Sequence, residues 1–258
     1  MAEGENAAGG GGSERPTAGT TPVLEFRRLG RVGYKSAYEL QQELVAEVLG
    51  WREQPPGSGA PDRAGIVLML EHDPVVTVSN RPSAATNLVA SPELLARAGV
   101  AVEPTDRGGD ITYHGPGQLV VYPILDLNRV HLRLHEYMRR LEAAVIATCV
   151  GFGVSAARDV SATGVWVGGE ANPDGEGTVG GRKICAMGVR VRQWVSLHGL
   201  ALNVRTDLSH FGLIVPCGLV GRPVTSLAAE LGDRCPPMEA VMDRLTDNLA
   251  RELGCQAG

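Results

Sequence analysis

The chain has 258 residues and a formal net charge of −5, with hydrophobic residues at 43% and charged residues at 21%. That length can bury a substantial core in one large or two small domains, and the composition is that of an ordinary globular protein. The acidic balance argues against nucleic acid as a partner, the apolar run 66–70 is far too short to span a bilayer, and residues 1–22 carry no apolar signal core, so the expected setting is the cytoplasm.

In chain order, residues 1–22 are rich in Gly, Ala, Thr and Glu and read as a disordered tail ahead of a single domain over 23–258. Residues 23–28 read as a first strand. Ser36 and Glu39 have the spacing of a capping box before a helix that carries Leu40, Leu44, Val48 and Trp51. A Pro/Gly loop over 54–62 precedes strands at 66–70 and 75–78. Ser91 and Pro92 open a short helix that Gly99 closes. The apolar run 119–125 predicts a buried strand, and 134–150 a long helix stopped by Gly151. Strands follow at 164–167, 183–191 and 194–204, with a Gly-rich acidic loop at 168–181. Met238, Val241, Met242, Leu245 and Leu249 mark a C-terminal helix. Without regular βαβ alternation, the fold class is α+β with a mixed sheet.

Cysteine and lysine usage narrows the chemistry. The five cysteines, Cys149, Cys185, Cys217, Cys235 and Cys255, are odd in number and form no C-x-x-C pair. That argues against a zinc site or a disulfide framework and leaves room for a reactive thiol; no metal or cofactor is expected. Of the 24 basic residues only Lys35 and Lys183 are lysine. Lysine kept in an arginine background points to a need for an amine that can lose its proton.

Four polar or glycine-rich clusters stand out. The first runs Arg107, Gly108, Gly109, Asp110, Ile111, Thr112, Tyr113, His114, Gly115, Pro116, Gly117, Gln118. Glycines let backbone approach a ligand closely, but the spacing is neither a P-loop nor a dinucleotide fingerprint, and a tight turn with a structural histidine explains the residues equally well. The second, 181–188, opens a strand with Lys183, which also suits a solvated strand edge. The third, 196–203, reads equally as a strand with a glycine bulge. The fourth places Cys217 between Pro216 and Gly218, in a turn that can present its sulfur, although a lone cysteine is commonly a small buried hydrophobe. Cys185, two residues from Lys183, shares its face on a regular strand and is a rival nucleophile. His72 and His114 are candidate pocket members.

Together the clusters resemble the octanoyltransferases, the lipoate-protein ligase B family, whose R-G-G-x-x-T-Y-H-G-P-G-Q-L, R-K-I, H-G-x-A-L-N and P-C-G motifs occur here in the same order over roughly 23–253. The resemblance implies the catalytic fold of the lipoate and biotin protein ligases. It implies Cys217 as acyl-thioester nucleophile and Lys183 as its acid–base partner. It also implies an acyl pocket lined by Arg107, Gly108, Gly109, Asp110, Ile111, Thr112, Tyr113, His114, Ala186, Met187, Gly188, Gly199, Leu200 and Ala201. The implied reaction moves octanoyl or lipoyl from an acyl carrier protein to a lysine of lipoyl domains, those of the 2-oxoacid dehydrogenase complexes and the glycine cleavage H protein, as the first step of endogenous lipoate biosynthesis. Arg107, Arg182, Arg190 and Arg192 are the arginines expected to meet the acidic carrier. Rival readings are an ATP-dependent lipoate ligase, which shares the lysine but needs no thiol, and a non-catalytic module that binds acyl carrier or lipoyl domains.

Overall fold

A computed structural model describes residues 21–53, 62–173, 177–215 and 221–258. The expected tail (except residues 21 and 22), most of the 54–62 loop, and Cys217 therefore lie outside the described residues.

The elements run β1 (Val23–Arg31), α1 (Tyr34–Gly50), β2 (Arg63–Glu71), β3 (Val75–Ser79), α2 (Pro92–Ala98), β4 (Ala101–Thr105), β5 (Ile111–His114), β6 (Gln118–Leu125) and α3 (Leu134–Gly151). They continue with β7 (Ala156–Asp159), β8 (Ala162–Val167), β9 (Glu170–Ala171), β10 (Thr178–Val179), β11 (Arg182–Arg192), β12 (Val195–Asn203), α4 (Leu227–Leu231), α5 (Met238–Leu253) and β13 (Gln256–Ala257). Ten strands form one sheet in the order β13-β1-β2-β6-β12-β11-β8-β7-β10-β9, and β4-β3-β5 form a second. Pairing is parallel for β1 with β2 and antiparallel through β2, β6, β12, β11 and β8, so the mixed sheet expected of an α+β fold is borne out.

Strand alternation divides the core. On β2, Ile66, Leu68 and Leu70 join Val120, Tyr122 and Ile124 of β6 under α1, whereas Val67 and Met69 join Leu119, Val121 and Leu125 under α3 and α5. The central strands are apolar on both faces because helices cover both faces. A third cluster packs Val76, Ile111 and Tyr113 of the small sheet against Leu95, Phe211, Leu213 and Ile214. Among the described residues, no helix is long and apolar enough to cross a membrane.

Some local readings change. The capping box at Ser36 and Glu39 does not form: α1 starts at Tyr34 with Gly33 as N-cap and no side-chain cap. Tyr34 is drawn into the core, where its hydroxyl donates to Thr105 Oγ1 at 2.7 Å, and this begins the helix before Ser36. Ser91 does cap α2, accepting from Leu94 N at 3.3 Å, and Gly99 ends it at φ 64°. Strand β4 was hidden in the sequence by Glu103 and Pro104; it is an edge strand, where proline is tolerated. Strand β5 lies inside the first glycine-rich cluster, and β9 and β10 inside the expected 168–181 loop.

Leu245 of α5 is fully buried and Leu94 of α2 is 39% exposed. Leu245→Ala should lower unfolding free energy by about 2–5 kcal/mol and Leu94→Ala by under about 0.5 kcal/mol, read from urea denaturation midpoints.

Candidate active site

Strands β5, β6, β11 and β12 bring the sequence clusters to one place. Antiparallel register sets Ala186 opposite Ala201, Met187 opposite Leu200 and Gly188 opposite Gly199. A Cβ on Gly188 would stand 2.4 Å from the carbonyl oxygen of Gly108, and Gly108 N–H donates to Val189 O at 3.1 Å. The first cluster therefore clasps the second backbone to backbone, and only glycine admits that approach.

The result is a cavity of about 420 Å³. Of the residues expected there, Arg107, Gly108, Gly109, Thr112, His114, Lys183, Ala186, Met187, Gly188, Gly199, Leu200 and Ala201 line it. Asp110, Ile111 and Tyr113 do not. On β5 the side chains alternate, so Ile111 and Tyr113 turn into the small-sheet core while Thr112 and His114 reach the cavity. Asp110 instead pairs with Arg81 at 3.3 Å. Sequence reasoning missed Tyr34, Tyr122, Leu134, Met138 and His198, which also line the cavity. They come from α1, β6, α3 and β12; His198 opens the H-G-x-A-L-N motif, and nothing in the local sequence of the other four marks the same destination.

A chain of amides fixes the polar wall. Asn203 Nδ2 donates to Thr225 O at 2.9 Å, so its Oδ1 accepts from Gln118 Nε2, also at 2.9 Å. Gln118 Oε1 is then the acceptor for His114 Nδ1 at 2.7 Å. His114 is thus the Nδ1–H tautomer with a lone pair on Nε2. Burial, reinforced by the repulsion that two protonated rings at His114 and His72 would suffer, pushes its pKa well below the usual histidine value. His72 is neutral for a similar reason: Nδ1–H donates to Val32 O at 2.6 Å and Nε2 accepts from the Tyr122 hydroxyl at 2.8 Å. His198 Nε2–H donates to Asp106 at 2.8 Å, and burial, with Arg107 and Arg190 adding repulsion, lowers its pKa to about 3. The carboxylate neighbour does not overcome that burial, so this contact is a hydrogen bond from a neutral ring.

Lys183 is buried at 8% exposure, lines the cavity, and faces Trp166 across the β8–β11 pairing with Nζ 4.5 Å from the ring centroid. Its backbone is held on the other side too, with N–H donating to Pro223 O and its carbonyl accepting from Thr225 N–H, each at 2.9 Å. Cys185 does not share its face. A bulge between Lys183 and Cys185 breaks the alternation, and the Cys185 side chain enters the main core. Burial raises its thiol pKa well above normal, and raises Cys149 to about 12, Cys255 to about 11 and Cys235 less. The thiolate is the nucleophilic form, so all four described thiols are poor nucleophiles. The chain leaves the described residues at Val215, whose N–H donates to Asn87 O at 2.7 Å, and returns at Gly221 just before the segment bound to Lys183.

The arginines expected to meet an acidic carrier are largely engaged. Arg107 donates to Thr77 and to Gly108 O, Arg182 pairs with Glu230, and Arg190 pairs with Asp106; Arg192 is exposed.

Residues 34–250 fit the lipoyl protein ligase A/B catalytic domain. An octanoyltransferase of Solibacter usitatus is 47% identical over 226 residues, 88% of this chain and 91% of that protein. One of Chloroflexus aggregans is 44% identical over 88% of this chain and 93% of that protein. Among solved structures, lipoate-protein ligase A bound with ATP superposes with a TM-score of 0.62 at 16% identity, covering 93% of this chain and 88% of that one. A bipartite lipoate protein ligase of Thermoplasma acidophilum gives 0.63 at 18% identity, covering 93% and 86%. At such identities the structures speak for the fold alone, a ligase-like catalytic fold.

The buried neutral histidines make stability depend on pH. An unfolded histidine takes up a proton below about 6.5 while native His198 holds out to about 3, so the unfolded state binds more protons in that window. Stability is fully present above pH 6.5 and falls with acidification, the His198 share approaching about 1.4 kcal/mol per pH unit. Urea midpoints should drop between about pH 7 and pH 5, and less steeply in His198→Gln. Parallel curves for the two proteins would contradict the assignment.

Proposed function

The chain belongs to the lipoyl protein ligase A/B catalytic-domain family and, within it, to the octanoyltransferases, and from that premise we propose that Cys217 and Lys183 carry the transfer. The donor is an acyl carrier protein thioester and the acceptor a lipoyl domain. Specific acceptors in this reading are the lipoyl domains of 2-oxoacid dehydrogenase complexes and the glycine cleavage H protein.

The observation that carries the assignment is Lys183, a buried amine in the wall of a largely apolar cavity, whose backbone binds the segment following residues 216–220. In the first step the Cys217 thiol passes its proton to the Lys183 amine. The thiolate attacks the octanoyl carbonyl; the new Cys217 thioester forms as the bond to the carrier sulfur breaks. The departing carrier thiolate takes the proton from the Lys183 ammonium. In the second step the acceptor lysine, as a free amine, attacks the Cys217 thioester. An amide forms, the cysteine thiolate leaves, and the proton lost by the attacking nitrogen passes through Lys183 to that thiolate. Thioester exchange is near-isoenergetic, so no nucleotide is consumed. An adenylating ligase would need no thiol, and the relatives named as ligases share the fold at 16–18% identity.

Cys217→Ser should abolish transfer while Cys185→Ser keeps most of it, because the Cys185 thiol is buried and held in its protonated form. The reverse pattern would move the nucleophile to Cys185. Lys183→Arg keeps a positive charge but cannot shuttle protons, so both half-reactions, or at least the attack by the acceptor amine, should slow by about 10²-fold or more. Arginine within a few-fold of wild type in single-turnover rates of both steps would leave only an electrostatic role for the lysine.

A further inference from the structure

Trp166 is the largest fully buried side chain among the described residues, yet its ring faces two cations. The indole is fixed by Nε1–H donating to Ala162 O at 3.1 Å. Lys183 Nζ stands 4.5 Å from the ring centroid and Arg222 Cζ 4.0 Å. Lys183 is the cross-strand partner of Trp166, while Arg222 comes from the segment that returns after residues 216–220. Arg222 is itself anchored. Its Nη2 donates to Asp159 Oδ2 at 2.5 Å and its Nη1 to Ser161 Oγ at 3.2 Å, while its Nε is buried and meets no acceptor among the described residues. Burial raises the Asp159 pKa, but Arg222 and Ser161 outweigh it and bring it to about 2, so the anchor is a permanent ion pair.

Packing alone would be served by an aliphatic side chain at this position, and such a side chain would not hold two cations. The face of an indole attracts an ammonium or guanidinium through its quadrupole, most strongly where water is excluded. One ring therefore fixes where the Lys183 ammonium sits and also grips the arginine five residues beyond Cys217.

We propose that Trp166 is a positioning residue for the transfer reaction: its ring holds the Lys183 side chain and, on the same aromatic surface, Arg222 of the segment that follows residues 216–220, which Asp159 anchors. The proposal rests on the Cys217–Lys183 reading. Trp166 does not line the cavity, and its role runs through Lys183. It acts by keeping the Lys183 nitrogen in place, where as an ammonium it supports the Cys217 thiolate and as a free amine it receives the proton of the incoming nucleophile. Ser161, Ala162, Thr163 and Lys183 line the cavity while the fully buried Trp166 does not, so the ring lies behind the wall and not within the acyl path.

The test changes the ring's electrostatics and not its shape. Tryptophan analogues carrying increasing numbers of ring fluorines, placed at position 166 in the full chain, weaken cation binding progressively while remaining close to isosteric. Single-turnover rates for acylation by octanoyl carrier protein and for transfer to a lipoyl domain should fall stepwise, by about tenfold across the series, with little change in KM for the carrier. The pH midpoint for iodoacetamide alkylation of Cys217 should rise in parallel, because a less well placed ammonium supports the thiolate less. Trp166→Phe, with a weaker ring, should fall within the series, and melting temperatures identify any variant that has merely lost its fold. Rates and alkylation midpoints that stay flat across a folded series would overturn the proposal. Failure of the underlying reading is distinguishable, since peptide mapping of unsubstituted enzyme would then find no octanoyl on Cys217.

Discussion

The backbone pairing of Lys183 with residues 223–225 is the constraint on which the site depends. Two hydrogen bonds at 2.9 Å lay that segment along the start of β11, so the chain on one side of residues 216–220 is fixed to the strand that carries the amine. Thr225 extends the constraint, because its carbonyl orients Asn203, which orients Gln118, which sets the tautomer of His114. Residues from three separate sequence clusters thus take their orientation from one short stretch of backbone. Such a network is well defined because each donor meets an acceptor, and a single missing partner would leave a buried amide unsatisfied.

The same logic governs the charge in the cavity. His114, His198, Tyr34 and Tyr122 make a polar wall, with His72 bound to the Tyr122 hydroxyl but not lining the cavity; none of these rings carries charge, since burial keeps the imidazoles neutral and the phenols protonated. Lys183, Arg81 and Arg107 also line the cavity, Arg107 braced on Thr77 and Gly108. An alkyl chain entering such a space meets Met138, Met187, Leu134 and Leu200 with few charges to desolvate, while the amine stands in the wall where the thioester chemistry is expected.

Much of this was legible in the sequence, for identifiable reasons. The apolar runs of β2 and β6 read as buried strands because both faces are covered, and the glycine clusters read as close-approach backbone because Gly108 and Gly188 do touch. What was hidden depends on register or on distance along the chain. The bulge that separates Lys183 from Cys185 leaves no signature in R-K-I-C, so strict alternation put both side chains on one face. Strand β5 is hidden because its four residues sit between glycines, and with it is hidden the alternation that removes Ile111 and Tyr113 from the cavity. Tyr34, Tyr122 and Trp166 arrive from α1, β6 and β8, and only the folded sheet makes them neighbours of the site.

The central claim is that one thiol carries the acyl group between donor and acceptor. Its most direct test is a rapid-quench experiment in which the enzyme is mixed with octanoyl carrier protein without acceptor, digested under acid, and mapped by peptide mass spectrometry. The account predicts one octanoyl group on the peptide containing Cys217, formed in a burst and discharged when a lipoyl domain is added. An octanoyl group on any other cysteine, or efficient transfer with no acyl-enzyme at any time, would contradict it.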